Sequence, residues 1–200
     1  MKLWILCAAE ADMTWPERCS AEEYRAACLR VLESAPKAIP QKPIPAAGRS
    51  VYVSRSPLAQ ASARAVYPDG SFVITELLDE LPPHAAGKGM RSLRFRRLFD
   101  RPDRAEKEAA LTRAEALLDQ LAKSDDDAIL VSHPGFIALL LDRLRVRGYC
   151  VARTGLGRVQ PLERLLLTRR DMHCGGCAHN CFLDNPGCGV GRDKAVRKSG

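Results

Sequence analysis

Between Ala128 and Leu144 the chain passes from an uncharged run, Ala128-Ile-Leu-Val-Ser132, through His133-Pro134-Gly135 into the apolar stretch Phe136 to Leu144. A strand apolar throughout suits a sheet covered on both faces. A helix starting almost at once must fold back over that sheet, so the segment predicts one unit of an α/β fold. It also places His133 where the carboxyl end of a strand meets a helix N-terminus, the usual site region of an open α/β sheet.

The rest of the chain repeats this alternation. Leu3 to Ala8 reads as a first buried strand, and Ser20-Ala-Glu-Glu23 is a capping box that opens a helix to about Leu32. Pro36, Pro40, Pro43 and Pro45 mark a stiff loop. Val51 to Ser54 predicts a short strand, and Ser56-Pro57 opens an alanine-rich helix to about Val66, with Pro57 suited to its first turn. Phe72 to Thr75 predicts another strand, and residues 79–102, with Pro82, Pro83, Gly87 and Gly89, read as a long excursion over one end of the sheet. Asp103-Arg-Ala-Glu106 is a second capping box, after which Ala110, Ala114, Leu117, Leu118 and Leu121 recur at helical spacing. Val159 to Leu167 supplies a last strand before the polar hinge Thr168-Arg-Arg-Asp171. With 200 residues and 46% hydrophobic content there is room for one full-sized domain and an appendage. The expectation is a three-layer α/β/α domain with a mostly parallel sheet over residues 1–168, and a small cysteine-rich segment over residues 169–200.

That segment holds four of the eight cysteines, Cys174, Cys177, Cys181 and Cys188, with His173 and His179 in the same stretch. Cys-x2-Cys spacing brings two thiolates to one ion or cluster edge, and the glycines and Pro186 allow the turns that bring the later cysteines back. Two cofactors fit: zinc in a closed tetrahedral site, or a [4Fe-4S] cluster on the four thiolates. The apolar run at the N-terminus stops at Glu10, which suits a buried strand rather than an export signal, and no other segment approaches a membrane span. A cytoplasmic setting with reduced thiols is therefore expected, which favours metal over disulfides in the tail. Cys7, and Cys28 on the first helix, are expected as core thiols, while Cys19 and Cys150 are scattered and suggest no shared site.

The net charge is +7, and Arg91, Arg94, Arg96, Arg97, Arg101 and Arg104 crowd into fourteen residues. Such a run reads first as a solvated face. No aromatic interleaving or helix-turn-helix pattern supports a nucleic-acid partner, and none is expected.

Over residues 1 to 168 the chain resembles the histidine phosphatase family, which includes the cofactor-dependent phosphoglycerate mutases. The resemblance rests on the opening strand followed by Glu10, on Val51-Tyr-Val-Ser-Arg-Ser56-Pro57-Leu58 with its helix, on the acidic stretch Glu76 to Glu80, and on Ile129-Leu-Val-Ser-His133-Pro-Gly-Phe136. It implies that His133 matches the pocket histidine that helps hold the phosphoryl group. It implies that Glu80, or its rival Glu76, matches the acidic proton donor. The family's Arg-His-Gly, which carries the nucleophile, is replaced by Cys7-Ala8-Ala9, and Gln60 stands where a second phosphate-holding arginine belongs.

Phosphoryl transfer depends on positioning and on cations that stabilise the transferring oxygens, and each lost donor of that kind is worth about 3–4 kcal/mol. The expected protein is therefore non-catalytic and binds a phosphorylated small molecule or partner through His133, Arg55, Gln60 and Ser56. Its tail is expected to carry a metal or iron-sulfur site, or to meet a protein partner. A diverged phosphomonoesterase using His133 and Glu80 is the alternative.

Overall fold

Alternation along the central strands divides the core into two layers. The computed structural model describes residues 1–39, 42–85, 89–95, 102–152 and 159–169. Strand β1 (Lys2–Cys7) sends Leu3, Ile5 and Cys7 to one face of the sheet and Leu6 to the other. β6 (Ala128–Ser132) does the same with Leu130 against Ile129 and Val131. On the first face lie α3 (Arg104–Ser124), through Ala110, Ala114, Leu117, Leu118 and Leu121, and α4 (Pro134–Val146), through Phe136, Ile137 and Leu140. On the second face α2 (Pro57–Val66) packs Leu58, Ala59, Ala63 and Val66 against β3 (Ser50–Ser54) and β6. The result is the expected three-layer α/β/α arrangement. Each fully buried leucine or isoleucine contributes about 1.5–3 kcal/mol, which makes these two layers the main source of stability.

The six-stranded sheet has the order β4-β3-β6-β1-β8-β7, where β4 is Ser71–Thr75, β7 is Tyr149–Ala152 and β8 is Arg164–Arg169. The pairings β4–β3, β3–β6 and β6–β1 are parallel, while β1–β8 and β8–β7 are antiparallel. The sheet is thus mixed, parallel through its first four strands and antiparallel at one side. β7 is a strand that the sequence pattern did not reveal, and the last strand begins at Arg164 rather than at Val159. Leu162 takes a left-handed turn conformation (φ 59°) just before it, while Leu162 N–H donates to the Cys7 carbonyl at 3.1 Å. That turn sets the register of β8 on β1.

Helix starts follow the local sequence closely. Both capping boxes form: Ser20 with Glu23 opens α1 (Ala21–Glu33), and Asp103 with Glu106 opens α3. A second, two-stranded sheet joins β2 (Arg18–Cys19) to β5 (Arg91–Ser92) and pins the excursion beside Cys19, Tyr24 and Ala85. Among the described residues no helix is long and apolar enough to cross a membrane.

Candidate functional site

The carboxyl ends of β3 and β6 bring Arg55, Ser56 and His133 together, with Glu80 against the turn after His133, and a cleft of about 910 Å3 opens beside them. Ser54, Arg55, Ser56, Asp79, Glu80 and Arg113 line it, together with the exposed Pro57 and the Leu29 end of α1.

His133 stands at the end of β6 and is 3% exposed. Its Nε2 lies 2.8 Å from Ser56 Oγ. Burial pushes its pKa down to about 4, against the opposing pull of the Asp79 charge, so the ring is neutral at pH 7. Ser56 is the N-cap of α2, and its Oγ also accepts from the Ala59 N–H at 3.1 Å. One hydroxyl therefore serves both the helix start and the histidine.

Glu80 makes a different set of contacts from that of a poised proton donor. Its Oε1 accepts from the Leu81 and Phe136 amides at 2.9 and 2.7 Å, and its Oε2 from the Gly135 amide at 3.0 Å. His133, the N-cap of α4, makes no side-chain cap, so Glu80 supplies the anion that the helix N-terminus favours. Enclosure of the carboxylate raises its pKa, opposed by the three amide hydrogen bonds and by Arg113. Gly135 is required for this approach, since a Cβ there would sit 2.6 Å from Glu80 Oε1.

Asp79, inside the acidic stretch but not singled out by sequence, is the hub of the site. Its Oδ1 accepts from Ser54 Oγ and from the Arg55 amide, both at 2.9 Å. Its Oδ2 takes the Arg55 guanidinium through Nε and Nη2, both at 2.7 Å, and Arg55 Nη1 reaches Glu76 at 3.3 Å. Glu76 is thus an ion-pair partner of Arg55. Arg113, reaching in from α3, donates to the carbonyls of Glu76 and Asp79 at 3.0 and 2.9 Å and lies over the Phe136 ring at 5.2 Å. Neither arginine carried a local signal for these roles, because the partners are remote in sequence. Gln60 is not brought into the cleft: its amide donates to the Arg55 carbonyl at 2.8 Å and its oxygen accepts from Arg64 at 3.3 Å.

Cys7, Ala8 and Ala9 occupy the end of β1 and are all buried. The Ala8 amide donates to the Ser132 carbonyl at 2.8 Å and the Ala9 amide to Ser62 Oγ at 3.0 Å, so this backbone closes on the core. Burial pushes the Cys7 thiol up to about 12, with Glu80 and Glu163 adding to the shift. A protonated, enclosed thiol is no nucleophile. The site therefore combines a neutral histidine, a hydroxyl already engaged, an ion-paired arginine, and no attacking group among the described residues at the end of β1.

Cys174, Cys177, Cys181 and Cys188, with His173 and His179, lie outside the described residues, as do Arg96, Arg97 and Arg101. Elsewhere, His84, Asp103 and Glu106 bring one ligand atom each within 4.8 Å of one another, a set that could hold a metal ion. Both carboxylates already accept capping hydrogen bonds at the start of α3, and His84 Nδ1 is 3.5 Å from Glu106.

No family profile and no curated protein matches the chain. Among solved structures it is similar to a mycobacterial glucosyl-3-phosphoglycerate phosphatase in complex with VO3 (15% identity over 84% of this chain and 90% of that one, TM-score 0.47). It is also similar to an ecdysone phosphate phosphatase from Bombix mori in complex with tungstate (12%, 85% and 90%, TM-score 0.48). A third is the alpha-ribazole phosphatase from Shigella flexneri (17%, 83% and 89%, TM-score 0.41).

Proposed function

We propose that this chain is a histidine-phosphatase-like protein that has given up phosphoryl transfer and serves as a binding protein. The observation that carries the reading is the end of β1, where buried Ala8 stands in the place that the family resemblance gives to the nucleophile. The remaining groups support it. His133 is neutral and turned to Ser56, Arg55 is held by Asp79 and Glu76, and Glu80 is committed to the first turn of α4. Transfer of a phosphoryl group needs cations free to take up developing charge and an attacking atom in line. The same facts stand against the alternative of a diverged phosphomonoesterase acting through His133 and Glu80.

The ligand proposed is a phosphorylated small molecule or partner entering the cleft at Arg55 and Ser56. Arg55 is 62% exposed in its side chain, so a phosphate can recruit it by exchange with Glu76 and Asp79. Because acids share the cleft, binding is weak and falls with salt. Calorimetric titration with inorganic phosphate and with phenyl phosphate tests this, alongside turnover of p-nitrophenyl phosphate. Binding that Arg55→Ala abolishes, without turnover above buffer, is the expected result. Turnover lost in both His133→Ala and Glu80→Ala would replace this reading with the phosphomonoesterase.

For the tail the proposal is a metal centre on Cys174, Cys177, Cys181 and Cys188, supported by their spacing, serving an interface or electron transfer. Protein purified without oxygen should hold either iron with acid-labile sulfide and a broad visible band, or one colourless zinc. Absence of both metals at stoichiometric level removes the centre.

A further inference from the structure

A second cavity, of about 400 Å3, opens on the α2 face of the sheet and shares no lining residue with the cleft at Arg55 and Ser56. It lies against Trp4 of β1 and against Arg164 and Leu166 of β8. Its charged side is built in advance. Ala47 (φ 54°) and Gly48 (φ 77°) take left-handed conformations that turn the chain, and the Arg49 amide donates back to the Ala46 carbonyl at 3.2 Å. The Arg49 guanidinium donates through Nη1 to the same carbonyl at 3.0 Å and lies 4.1 Å from the centre of the Trp4 ring. Arg164 lines the cavity from the first position of β8. Among the described residues no carboxylate pairs with either guanidinium, and no acidic residue lines the cavity. Tyr67, the C-cap of α2, is the third polar group there. It is 4% exposed, and among the described residues its hydroxyl has no hydrogen-bond partner, an arrangement that costs stability until a partner arrives. Burial raises the pKa of this phenol against the pull of the Arg164 and Arg49 charges, so it keeps its proton at pH 7 and feels both cations.

We propose that this cavity binds a small aromatic carboxylate, its oxygens taken by Arg49, Arg164 and the Tyr67 hydroxyl and its ring laid on the apolar wall. Two cations and a phenol with no acid among them select an anion. A guanidinium is flat and offers N–H groups in a fork that fits the two oxygens of a carboxylate. The remaining wall, Ile44, Pro45, Ile129 and Leu166, gives a sugar or a peptide nothing polar to meet through its side chains, so the body of the ligand is apolar. The volume is that of a small-molecule site, and a few placed polar groups in an apolar lining are how such sites fix orientation.

Calorimetric titration of the full chain with 1-naphthoate and with the uncharged 1-naphthamide tests the site. The acid is expected to bind once per chain, and the amide about tenfold more weakly or not at all. Arg164→Gln and Tyr67→Phe should each weaken naphthoate by about tenfold. Neither should lower the melting temperature, because the Arg164 side chain lies at the surface and the Tyr67 hydroxyl has no partner to lose. Arg55→Ala, in the other cleft, should leave naphthoate binding as it is. A native protein that does not bind naphthoate overturns the proposal, and so does an amide that binds as tightly as the acid. Naphthoate binding that Arg55→Ala abolishes, or that survives both Arg164→Gln and Tyr67→Phe unchanged, places the anion elsewhere and overturns it too.

Discussion

Lowering the pH from 7 to 5 is expected to weaken this fold through His133. In the unfolded chain an imidazole titrates near ~6.5, and in the folded protein burial beside Ser56 holds it at about 4. Between these values the unfolded state binds a proton that the folded state refuses, so the stability present above the unfolded value is lost as pH falls towards the folded one. The difference between the two states is worth about 3 kcal/mol once titration is complete, and about 2 kcal/mol of it is gone by pH 5. Glu80 works in the opposite sense, because its raised pKa favours the folded state on acidification, so wild type alone mixes the two. His133→Gln keeps Glu80 and places an amide near the Nε2 position while removing the titration. Urea denaturation of both proteins at several pH values should show their stability difference shifting by about 2 kcal/mol against wild type between pH 7 and 5. A difference that does not change with pH, or an imidazole resonance titrating above pH 6 in the folded protein, would refute the reasoning.

Gly135→Ala should push Glu80 off the first turn of α4 and cost about 1–3 kcal/mol by thermal or chemical denaturation; an unchanged stability would mean that the three amide contacts do not matter. Cys7 should resist iodoacetamide in the native state and react only in denaturant, which peptide mass spectrometry reads directly, because its thiol is buried and pushed up to about 12. Leu130→Ala, at the centre of β6 and fully buried, should cost about 2–5 kcal/mol in denaturant melts, and a loss below that range would mean that the layers collapse around the gap.

What was legible in the sequence was what short-range chemistry decides. The capping boxes at Ser20 and Asp103 fixed the starts of α1 and α3 because their hydrogen bonds close within three residues. The strand-to-helix turns at Ser56 and His133 likewise located the site. β7 was hidden because Tyr149-Cys-Val-Ala is short and follows Arg143, Arg145 and Arg147; only Gly148, whose φ of 84° turns the chain back, signalled it. The start of β8 depended on pairing with β1 at the other end of the domain. The proton-donor role of Glu80 or Glu76 is what the family resemblance implies, and the amides that Glu80 meets, on Gly135 and Phe136, are more than fifty residues away and leave no local mark. Asp79 went unmarked for a related reason: one acid among several reveals nothing until β3 brings Ser54 and Arg55 against it.

Strand order also shapes how the protein comes into being. β1 and β3 are made early but never touch, because β6 lies between them. Leu3 cannot find Ala128, nor Leu6 find Val131, until the ribosome has finished that later segment. At about 5–20 residues per second the first strand waits on the order of ten seconds with its apolar side chains uncovered. A nascent chain in that condition invites a holding chaperone, and a ribosome stalled before Ala128 leaves β1 without either strand it pairs with.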